Sequence, residues 1–386
     1  MLNYRKGNLF IENVSFESLA KKFGTPLYVY SRAGLINNFT VFDDALSSVP
    51  HIVCYAVKAN SNFSILKVLS KNGAGADITS GGELYRSLRA GFPSKKIVYA
   101  GIGKTREEIS YALRENILIF NVESLEELSS INEVATRLKK KAKIAFRINP
   151  NVDPDTHHYI TTGKKGGKFG IPYSQAISAY KMAKKMSSIS VEGIHCHIGS
   201  QIVEAAPFKL AAQRINVLFE KLSNIGIHLN YINLGGGLGI RYDRENPPTP
   251  YDLTKAVIPI FKNFSGTFIF EPGRYIVGNA GFLLVKVIYR KQSGGKNFLI
   301  VDGGMNDLIR PTLYDAYHEI IPVKKSLQPK IKVDVVGPIC ETGDFLGKER
   351  LLPWVPQDGL LVVNCAGAYG YAMSSQTEKI LLHLMI

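Results

Sequence analysis

Lys58 lies directly after an apolar stretch that is typical of a buried β-strand. The stretch runs from Ile52 to Val57, and Ala59 and Asn60 follow the lysine. A lysine at the mouth of a buried strand is costly to hold unless it loses its charge or bonds to a partner, and a Schiff base with a carbonyl cofactor does both. Because a single lysine past a strand end is usually a surface residue, the interpretation depends on the residues around Lys58.

Short apolar strands alternate with amphipathic helical stretches through the middle of the chain. Eight strands are predicted: Ile52–Val57, Gly75–Ile78, Ile97–Ala100, Ile117–Val122, Ile144–Ile148, Val191–Ile198, Tyr231–Leu234 and Phe268–Glu271. Three capping boxes are predicted at helix starts between them: Ser80 with Glu83, Thr105 with Glu108, and Ser124 with Glu127. This alternation predicts a parallel sheet, and eight units favour a closed (β/α)8 barrel of the TIM type. An open doubly wound sheet is the alternative, but no G-x-G-x-x-G turn follows the first strand.

The residues that could do chemistry lie at the carboxyl ends of the predicted strands, where active sites of this fold are found. They are Lys58, Asp77, Arg147, Asn149, His197, Gly235, Gly236, Gly237 and Glu271. Each has an ordinary explanation when taken alone, such as a core histidine or a tight glycine turn. Together they predict one site at one rim of the barrel.

These residue types suit pyridoxal phosphate. The glycine run Gly235–Gly237 offers backbone N–H groups to a phosphate. Glu271 can keep a pyridine nitrogen protonated through an ion-pair hydrogen bond, which makes the ring a strong electron sink. His197 supplies a flat imidazole that could stack on the ring.

Four motifs of the first 280 residues resemble the fold-type III pyridoxal-phosphate decarboxylases. They are Tyr55-Ala56-Val57-Lys58-Ala59-Asn60, His197-Ile198-Gly199-Ser200, Gly235-Gly236-Gly237-Leu238-Gly239 and Glu271-Pro272-Gly273-Arg274. Three later motifs follow the order seen in diaminopimelate decarboxylases: Met305-Asn306-Asp307-Leu308-Ile309-Arg310-Pro311 leading to Leu313-Tyr314, Gly337-Pro338-Ile339-Cys340-Glu341-Thr342-Gly343-Asp344, and Ala366-Gly367-Ala368-Tyr369-Gly370. The resemblance covers nearly the whole chain, to about Ser375.

The resemblance implies a role for each matching residue. Lys58 would carry pyridoxal 5'-phosphate as a Schiff base, and Cys340 would deliver a proton. The residues expected to bind the cofactor are Lys58, Asp77, His197, Ser200, Gly235, Gly236, Gly237, Glu271, Gly273, Arg274 and Tyr369. The residues expected to bind the substrate are Arg274, Arg310, Tyr314, Glu341 and Tyr369. Guanidinium groups suit carboxylates, and a carboxylate such as Glu341 suits an ammonium.

The expected reaction is decarboxylation of meso-2,6-diaminopimelate to L-lysine and carbon dioxide, with Lys58, His197, Glu271 and Cys340 as the catalytic residues. An ornithine or arginine decarboxylase is the alternative within the class, but Arg310 would repel a purely cationic distal group. A non-catalytic cofactor-binding or decoy protein of the same fold is the alternative from another class. The family completes each site with the partner's Cys-Glu loop, so a homodimer with shared sites is expected.

Composition excludes several other classes of protein. The 386 residues carry a formal charge of +15, but the lysines are scattered without interleaved aromatics, so no nucleic-acid partner is expected. No apolar run approaches the roughly 20 residues that span a bilayer, and the N-terminus lacks a signal-peptide pattern, so we expect no membrane partner and a cytoplasmic location. The four cysteines have no C-x-x-C spacing and predict no metal site.

Two domains are expected. The barrel is predicted over residues 31–273, and an all-β domain is predicted from residues 1–30 and 274–386, with a hairpin at Ser293-Gly294-Gly295. The apolar end of the chain, Ile380–Ile386, departs from the family pattern. It is either a strand of the β domain or an unnatural end, such as a truncated or frame-shifted product, in which case the protein would be aggregation-prone and weakly dimeric.

Overall fold

A computed structural model describes residues 1–154 and 167–375, and the backbone of 382–385. The chain forms two compact units. One, here called the β unit, comprises Met1–Asn37, Arg241–Glu245 and Tyr275–Ile386, and the other, here called the barrel unit, comprises Asn38–Ile240 and Asn246–Arg274. The domain borders expected from the sequence, residues 31 and 273, stay a prediction.

The elements are numbered along the chain. The strands are β1 Leu2–Arg5, β2 Asn8–Ile11, β3 Val14–Ser15, β4 Leu27–Tyr30, β5 His51–Ala56, β6 Gly75–Ile78, β7 Ile97–Tyr99, β8 Ile119–Val122, β9 Ala142–Asn149, β10 Ile171–Pro172, β11 Ile189–His195, β12 Tyr231–Asn233, β13 Thr267–Phe270, β14 Gly281–Ser293, β15 Lys296–Val301, β16 Ile320–Pro322, β17 Lys330–Val336, β18 Phe345–Pro353, β19 Leu360–Val363 and β20 Leu382–Met385. The α-helices are α1 Phe16–Phe23, α2 Arg32–Asp44, α3 Phe63–Lys71, α4 Gly81–Arg89, α5 Arg106–Arg114, α6 Leu125–Arg137, α7 Ala176–Lys184, α8 Ala206–Asn224, α9 Pro250–Val257, α10 Arg274–Val277 and α11 Arg310–Tyr314.

Eight parallel strands of the barrel unit close into a barrel. They pair in the order β5, β6, β7, β8, β9, β11, β12 and β13, and β13 returns to pair with β5. The two-residue strand β10 lies beside β9. The closing pair, in which Phe268 lies opposite His51, rules out the open doubly wound sheet. The predicted (β/α)8 barrel is therefore confirmed, and its carboxyl rim is the edge at which Lys58, His197 and Glu271 follow their strands.

The barrel helices begin where their caps were predicted. Thr105 forms a complete capping box, because its hydroxyl accepts the N–H of Glu108 while the Glu108 carboxylate accepts the N–H of Thr105. Ser80 and Ser124 also cap their helices. Their glutamates reach one residue further back, however, so that the carboxylate of Glu83 accepts the N–H of Thr79 and that of Glu127 accepts the N–H of Glu123. Only one of the three predicted boxes is therefore complete.

The helices pack on the barrel through apolar residues spaced three or four apart. In α6 the buried residues are Leu128, Ile131, Val134 and Ala135, and the helix contacts β8 and β9. This spacing places all four side chains on one face of the helix. Burying that face fixes β8 and β9, and with them the residues at the carboxyl rim.

The β unit is mostly β-structure, and it also contains α1, α11, the start of α2 and most of α10. Its long strand β14 pairs with β4, β15 and β19, and β17 joins β15 to β18. The predicted hairpin is confirmed: Ser293 lies opposite Lys296, and Gly294 and Gly295 have φ of +56° and +76°. Two consecutive positive φ angles are what a two-residue hairpin turn requires.

The end of the chain contains a strand. β20, Leu382–Met385, pairs in parallel with β4, so that His383 lies opposite Tyr28. This is the first of the two alternatives considered for the apolar end. Residues 376–381 and 386, which belong to the same predicted run or lead into it, lie outside the described residues.

Candidate active site

Lys58 contacts a buried carboxylate at the carboxyl rim of the barrel. It lies in the short 3₁₀ turn Val57–Ala59 that follows β5, and its ammonium group forms an ion pair with Oδ2 of Asp77 in β6. About a third of the Lys58 side chain is exposed, whereas that of Asp77 is fully buried. Because the amine of Lys58 is partly exposed while it contacts a buried acid, it can reach a ligand and stay beside Asp77.

Asp77 is poised between its two protonation states near neutral pH. Burial, followed by the negative charge of Glu271, raises the pKa of Asp77 to about 7, although Lys58 pulls it down. The second oxygen, Oδ1, has no hydrogen-bond partner among the described residues. A buried polar atom without a partner is expensive, so this oxygen indicates a place where a bound molecule or a proton is accommodated.

The glycine run after β12 is required by close packing. A Cβ on Gly236 would lie 2.1 Å from the carbonyl oxygen of Glu271, and one on Gly235 would lie 2.5 Å from that of Cys196. Gly235 and Gly237 also have φ of +68° and +108°, which other residues rarely adopt. The loop is tied to Glu271, whose N–H donates to the carbonyl of Gly235 at 2.7 Å. No larger residue could hold this cradle.

His197 is a hydrogen-bond acceptor for the same loop. Its Nδ1 accepts the N–H of Gly236 at 3.1 Å, so its own proton lies on Nε2. Burial, followed by the charges of Arg147 and Lys58, holds the pKa of His197 well below its usual value. The imidazole is therefore neutral. Because the N–H of Gly236 already donates to His197, fewer backbone N–H groups of the glycine run remain for a phosphate than the sequence predicts.

Glu271 follows β13 and is held by three side chains that sequence reasoning missed. Its Oε1 accepts N–H groups from Asn121 at 3.1 Å and from Asn233 at 2.6 Å, and its Oε2 lies 3.2 Å from Nε2 of His195. Burial opposes ionisation, but His195, Lys58 and the hydrogen bonds outweigh it and hold the pKa of Glu271 well below its usual value. The signal for the missed residues was a polar side chain within an apolar strand.

Arg274 and Ser200 form a second polar group at this rim. The Nε and Nη2 atoms of Arg274 donate to the Ser200 hydroxyl at 3.3 and 3.1 Å, and Arg274 is only 5% exposed. A Cβ on Gly273 would lie 3.0 Å from the Cβ atoms of both Ala56 and Ala59, so the 271–274 segment packs directly on the turn that carries Lys58. A buried guanidinium beside a hydroxyl suits a phosphate or a carboxylate.

Arg147 and Asn149 serve the structure at their strand end. Arg147 forms a buried ion pair with Glu123 at 2.8 Å, and the other oxygen of Glu123 accepts the N–H of Gly170. The Arg147 guanidinium also lies 4.5 Å from the ring centre of Phe169. Asn149 accepts the N–H of Asn151. These contacts brace the loop after β9.

The predicted substrate residue Arg310 lies in the β unit, at the start of α11. It is 5% exposed, donates to Nε2 of His318 at 3.0 Å, and lies 4.7 Å from the ring centre of Tyr242. His318 in turn donates from Nδ1 to the carbonyl of Asn364 at 2.8 Å. Tyr314 ends the helix, and its hydroxyl lies 4.0 Å from the sulfur of Met373. His318 and Tyr242 thus orient the arginine, and the sequence motifs did not include them.

Cys340 and Glu341 are exposed on a loop of the β unit that is firmly anchored. The anchor is buried Asp344, whose carboxylate accepts the N–H of Ile339 and that of Met305, both at 2.6 Å. The thiol is free. Tyr369, half-buried with φ of +57°, lies in another loop of the same unit.

Taken together, the barrel residues fit pyridoxal phosphate. The amine of Lys58 suits its aldehyde, and the ionised Glu271 suits its ring nitrogen. The glycine cradle and the buried Arg274 suit its phosphate. Among residues 1–154 and 167–375, no group of His, Cys, Asp and Glu side chains suits a metal ion. None of the described helices has the length and apolar character needed to cross a membrane.

Comparison with known proteins agrees with this fit. A sequence profile described as "Pyridoxal-dependent decarboxylase, pyridoxal binding domain" matches residues 32–278. A diaminopimelate decarboxylase of Aquifex aeolicus is 50% identical over 375 residues, covering 97% of this chain and 89% of the relative. The crystal structure of diaminopimelate decarboxylase from M. jannaschii in co-complex with L-lysine has a TM-score of 0.94 and 40% identity, covering 100% of this chain and 92% of that one. That of the Helicobacter pylori enzyme complexed with L-lysine has a TM-score of 0.93 and 39% identity, covering 96% and 94%.

Proposed function

Because the chain belongs to the family of pyridoxal-dependent decarboxylases, we propose that it removes one carboxylate from meso-2,6-diaminopimelate. The products are L-lysine and carbon dioxide, and a proton replaces the lost carboxylate on Cα. The observation that carries this proposal is the pairing of Lys58 with buried Asp77 on the rim that also presents an ionised Glu271. The L-lysine bound in the related structures is the expected product.

The residues that would hold pyridoxal phosphate lie in the barrel unit. Lys58 would bind its aldehyde carbon, and Glu271 would face its ring nitrogen. The Gly235–Gly237 turn would hold its phosphate through the N–H of Gly237, since those of Gly235 and Gly236 already donate to Asn233 and His197. Arg274 with Ser200 would complete this contact. When bound, the cofactor supplies a carbonyl that captures the substrate amine and a ring that accepts the electrons released with carbon dioxide. His197, neutral and with its edge fixed by Gly236, would cover one face of the ring.

The protein's own groups would control the protons. Asp77, with a pKa of about 7 and in contact with the Lys58 amine, would accept a proton from that amine and return it. Glu271 stays ionised. The Cys340 thiol would donate its proton to Cα after carbon dioxide leaves, and solvent would restore it.

The β unit would supply substrate recognition. Arg310 is oriented by His318 and Tyr242, and its guanidinium would bind the distal carboxylate that distinguishes diaminopimelate from ornithine and arginine. Glu341 would hold the distal ammonium, and Tyr314 and Tyr369 would complete the substrate contacts that this unit supplies.

We also propose that the protein is a homodimer in which each active site takes Cys340 and Glu341 from the partner. The exposed position of both side chains on an anchored loop supports this arrangement. A cytoplasmic location is part of the same proposal, since all four cysteines are free thiols, as in a reducing compartment.

The experiment is direct. Purified protein is incubated with pyridoxal phosphate and meso-diaminopimelate, and L-lysine and carbon dioxide are quantified, with ornithine and arginine assayed in parallel. Lysine should form from diaminopimelate, and replacing Lys58 with alanine should abolish it, whereas Lys71→Ala, an exposed lysine that ends α3, should not. Formation of putrescine or agmatine in preference to lysine would contradict the proposal.

A further inference from the structure

The carboxylate of Glu271 is gripped inside the barrel by donors from three strands. Asn121 lies within β8, His195 ends β11 and Asn233 ends β12. All three side chains are at most 1% exposed, and Glu271 itself is 5% exposed. Four buried polar side chains meeting in a barrel interior are costly unless their arrangement serves the site.

The hydrogen-bond inventory fixes where the protons lie. An ionised carboxylate only accepts, so Nε2 of His195, 3.2 Å from Oε2 of Glu271, must carry a hydrogen. The Oε1 atom is filled by the amides of Asn121 and Asn233. A carboxylate has about four lone-pair positions, and three are used within the described residues. The remaining one is on Oε2, beside the His195 donor.

Asn233 connects this group to the glycine cradle. Its Nδ2 donates to Glu271 at 2.6 Å while its Oδ1 accepts the N–H of Gly235 at 2.9 Å. It therefore has a second structural role, and changing it would disturb both ends of the site. His195 has no such second role, because its Nδ1 is buried without a hydrogen-bond partner among the described residues.

We propose that His195 is a positioning residue for the reaction, whose Nε2–H holds Oε2 of Glu271 as a charged acceptor and so keeps the proton shared with the cofactor on the ring nitrogen. The inference rests on the proposed function. A carboxylate that already accepts three hydrogen bonds is a poor base, and a proton placed between it and a pyridine nitrogen stays on the nitrogen. Without His195, Oε2 would become more basic and draw that proton towards itself, which weakens the ring as an electron sink.

The test compares His195→Leu, which removes the donor, with His195→Gln, whose amide can replace it. His228→Leu makes the same chemical change at an exposed histidine and serves as the control. Each protein is loaded with pyridoxal phosphate labelled with ¹⁵N in the ring, and solid-state NMR reports whether that nitrogen is protonated, independently of turnover. Wild type, His228→Leu and His195→Gln should give a pyridinium signal, and His195→Leu should shift towards neutral pyridine.

Kinetics provide the second readout. In His195→Leu kcat should fall by about 10- to 100-fold, the usual loss when a partner that orients a site group is removed, while KM changes little and His195→Gln recovers most of the rate. A His195→Leu protein that binds the cofactor yet keeps the pyridinium signal and the wild-type kcat would overturn the proposal. So would a His195→Gln protein that behaves like His195→Leu.

One further measurement is made on the wild-type protein, and a variant is needed only to assign the NMR signal of His195. In wild-type protein with ¹⁵N-labelled histidine, Nε2 of His195 should be protonated, and an unprotonated Nε2 would overturn the inference. Failure of the proposed function can be distinguished from failure of this inference. In the first case wild-type protein would form no lysine, while the NMR signals of the ring nitrogen and of His195 could still be read.

Discussion

Replacing Asp77 with asparagine should change how the stability of the cofactor-free protein depends on pH. The folded protein holds the Asp77 proton with a pKa of about 7, whereas an unfolded aspartate has a pKa of about 3.9. Because the folded state binds this proton more tightly, Asp77 makes its most favourable contribution at acid pH. That contribution declines as pH rises from about 4 to about 7 and is constant above. Between pH 5 and pH 8 the decline is about 3 kcal/mol, at about 1.4 kcal/mol per unit.

The assay is urea unfolding of cofactor-free wild type and Asp77→Asn at pH 5 and pH 8. Asparagine keeps the shape of the side chain but does not titrate, so relative to wild type the variant should gain about 3 kcal/mol in free energy of unfolding between the two pH values. Asp358→Asn, which makes the same chemical change at a side chain that is 79% exposed, is the matched control. A pH-independent difference for Asp77→Asn would show that Asp77 is ionised throughout and would refute the reasoning.

Three further predictions concern the site. Lys58→Ala should be inactive, and Cys340→Ala should lose activity by about 10²–10⁴-fold. Mixing the two variant chains should restore part of the activity if each site is shared between two chains. Confirmed mixed dimers without activity would place both residues in one chain's site. Arg310→Ala should lose several kcal/mol of transition-state binding for diaminopimelate and little for an analogue lacking the distal carboxylate, whereas equal losses would make the arginine structural. Gly236→Ala, which places a Cβ 2.1 Å from a backbone oxygen, should weaken cofactor binding in a fluorescence titration by about 10- to 100-fold. Gly103→Ala, where a Cβ meets nothing within 4 Å, should bind as wild type does, and equal affinities for both variants would contradict the close packing.

The barrel was predictable because its strands are short, apolar and separated by helix caps. Seven of the eight predicted strands end within one residue of the observed end, and the one exception is instructive. The run Val191–Ile198 was predicted to end three residues too late, since β11 ends at His195. Cys196, His197 and Ile198 continue the apolar pattern but belong to the turn that brings His197 to the glycine loop. Tertiary packing ends the strand at this point, and an alternating sequence pattern carries no information about that packing.

The β unit was less predictable. The sequence predicts strands over Asn8–Val14, Pro26–Tyr30, Phe282–Tyr289, Asn297–Val301, Ile331–Val336 and Gly359–Val363. The strands β1, β16 and β18 were not predicted. Two of them are only three or four residues long, and β18 carries Lys348, Glu349 and Arg350 in its middle. Edge strands with charged residues give weak apolar alternation. The hairpin at Gly294-Gly295 was found because its chemistry is local.

The site residues divide in the same way. Those in contiguous motifs were found from the sequence, whereas Asn121, His195 and Asn233 are single polar residues in strands far apart in the chain. Only the closed barrel brings them to Glu271. The sequence did offer one clue, since each of the three is a polar residue within a predicted apolar strand.

The central claim is that Lys58 carries the cofactor, and it can be tested directly on the purified protein. Loaded protein is reduced with borohydride, digested, and mapped by mass spectrometry for the pyridoxyl group. The label should be on Lys58 and absent from exposed lysines such as Lys71. A label on any other lysine, or none on a protein that has bound pyridoxal phosphate, would contradict the account.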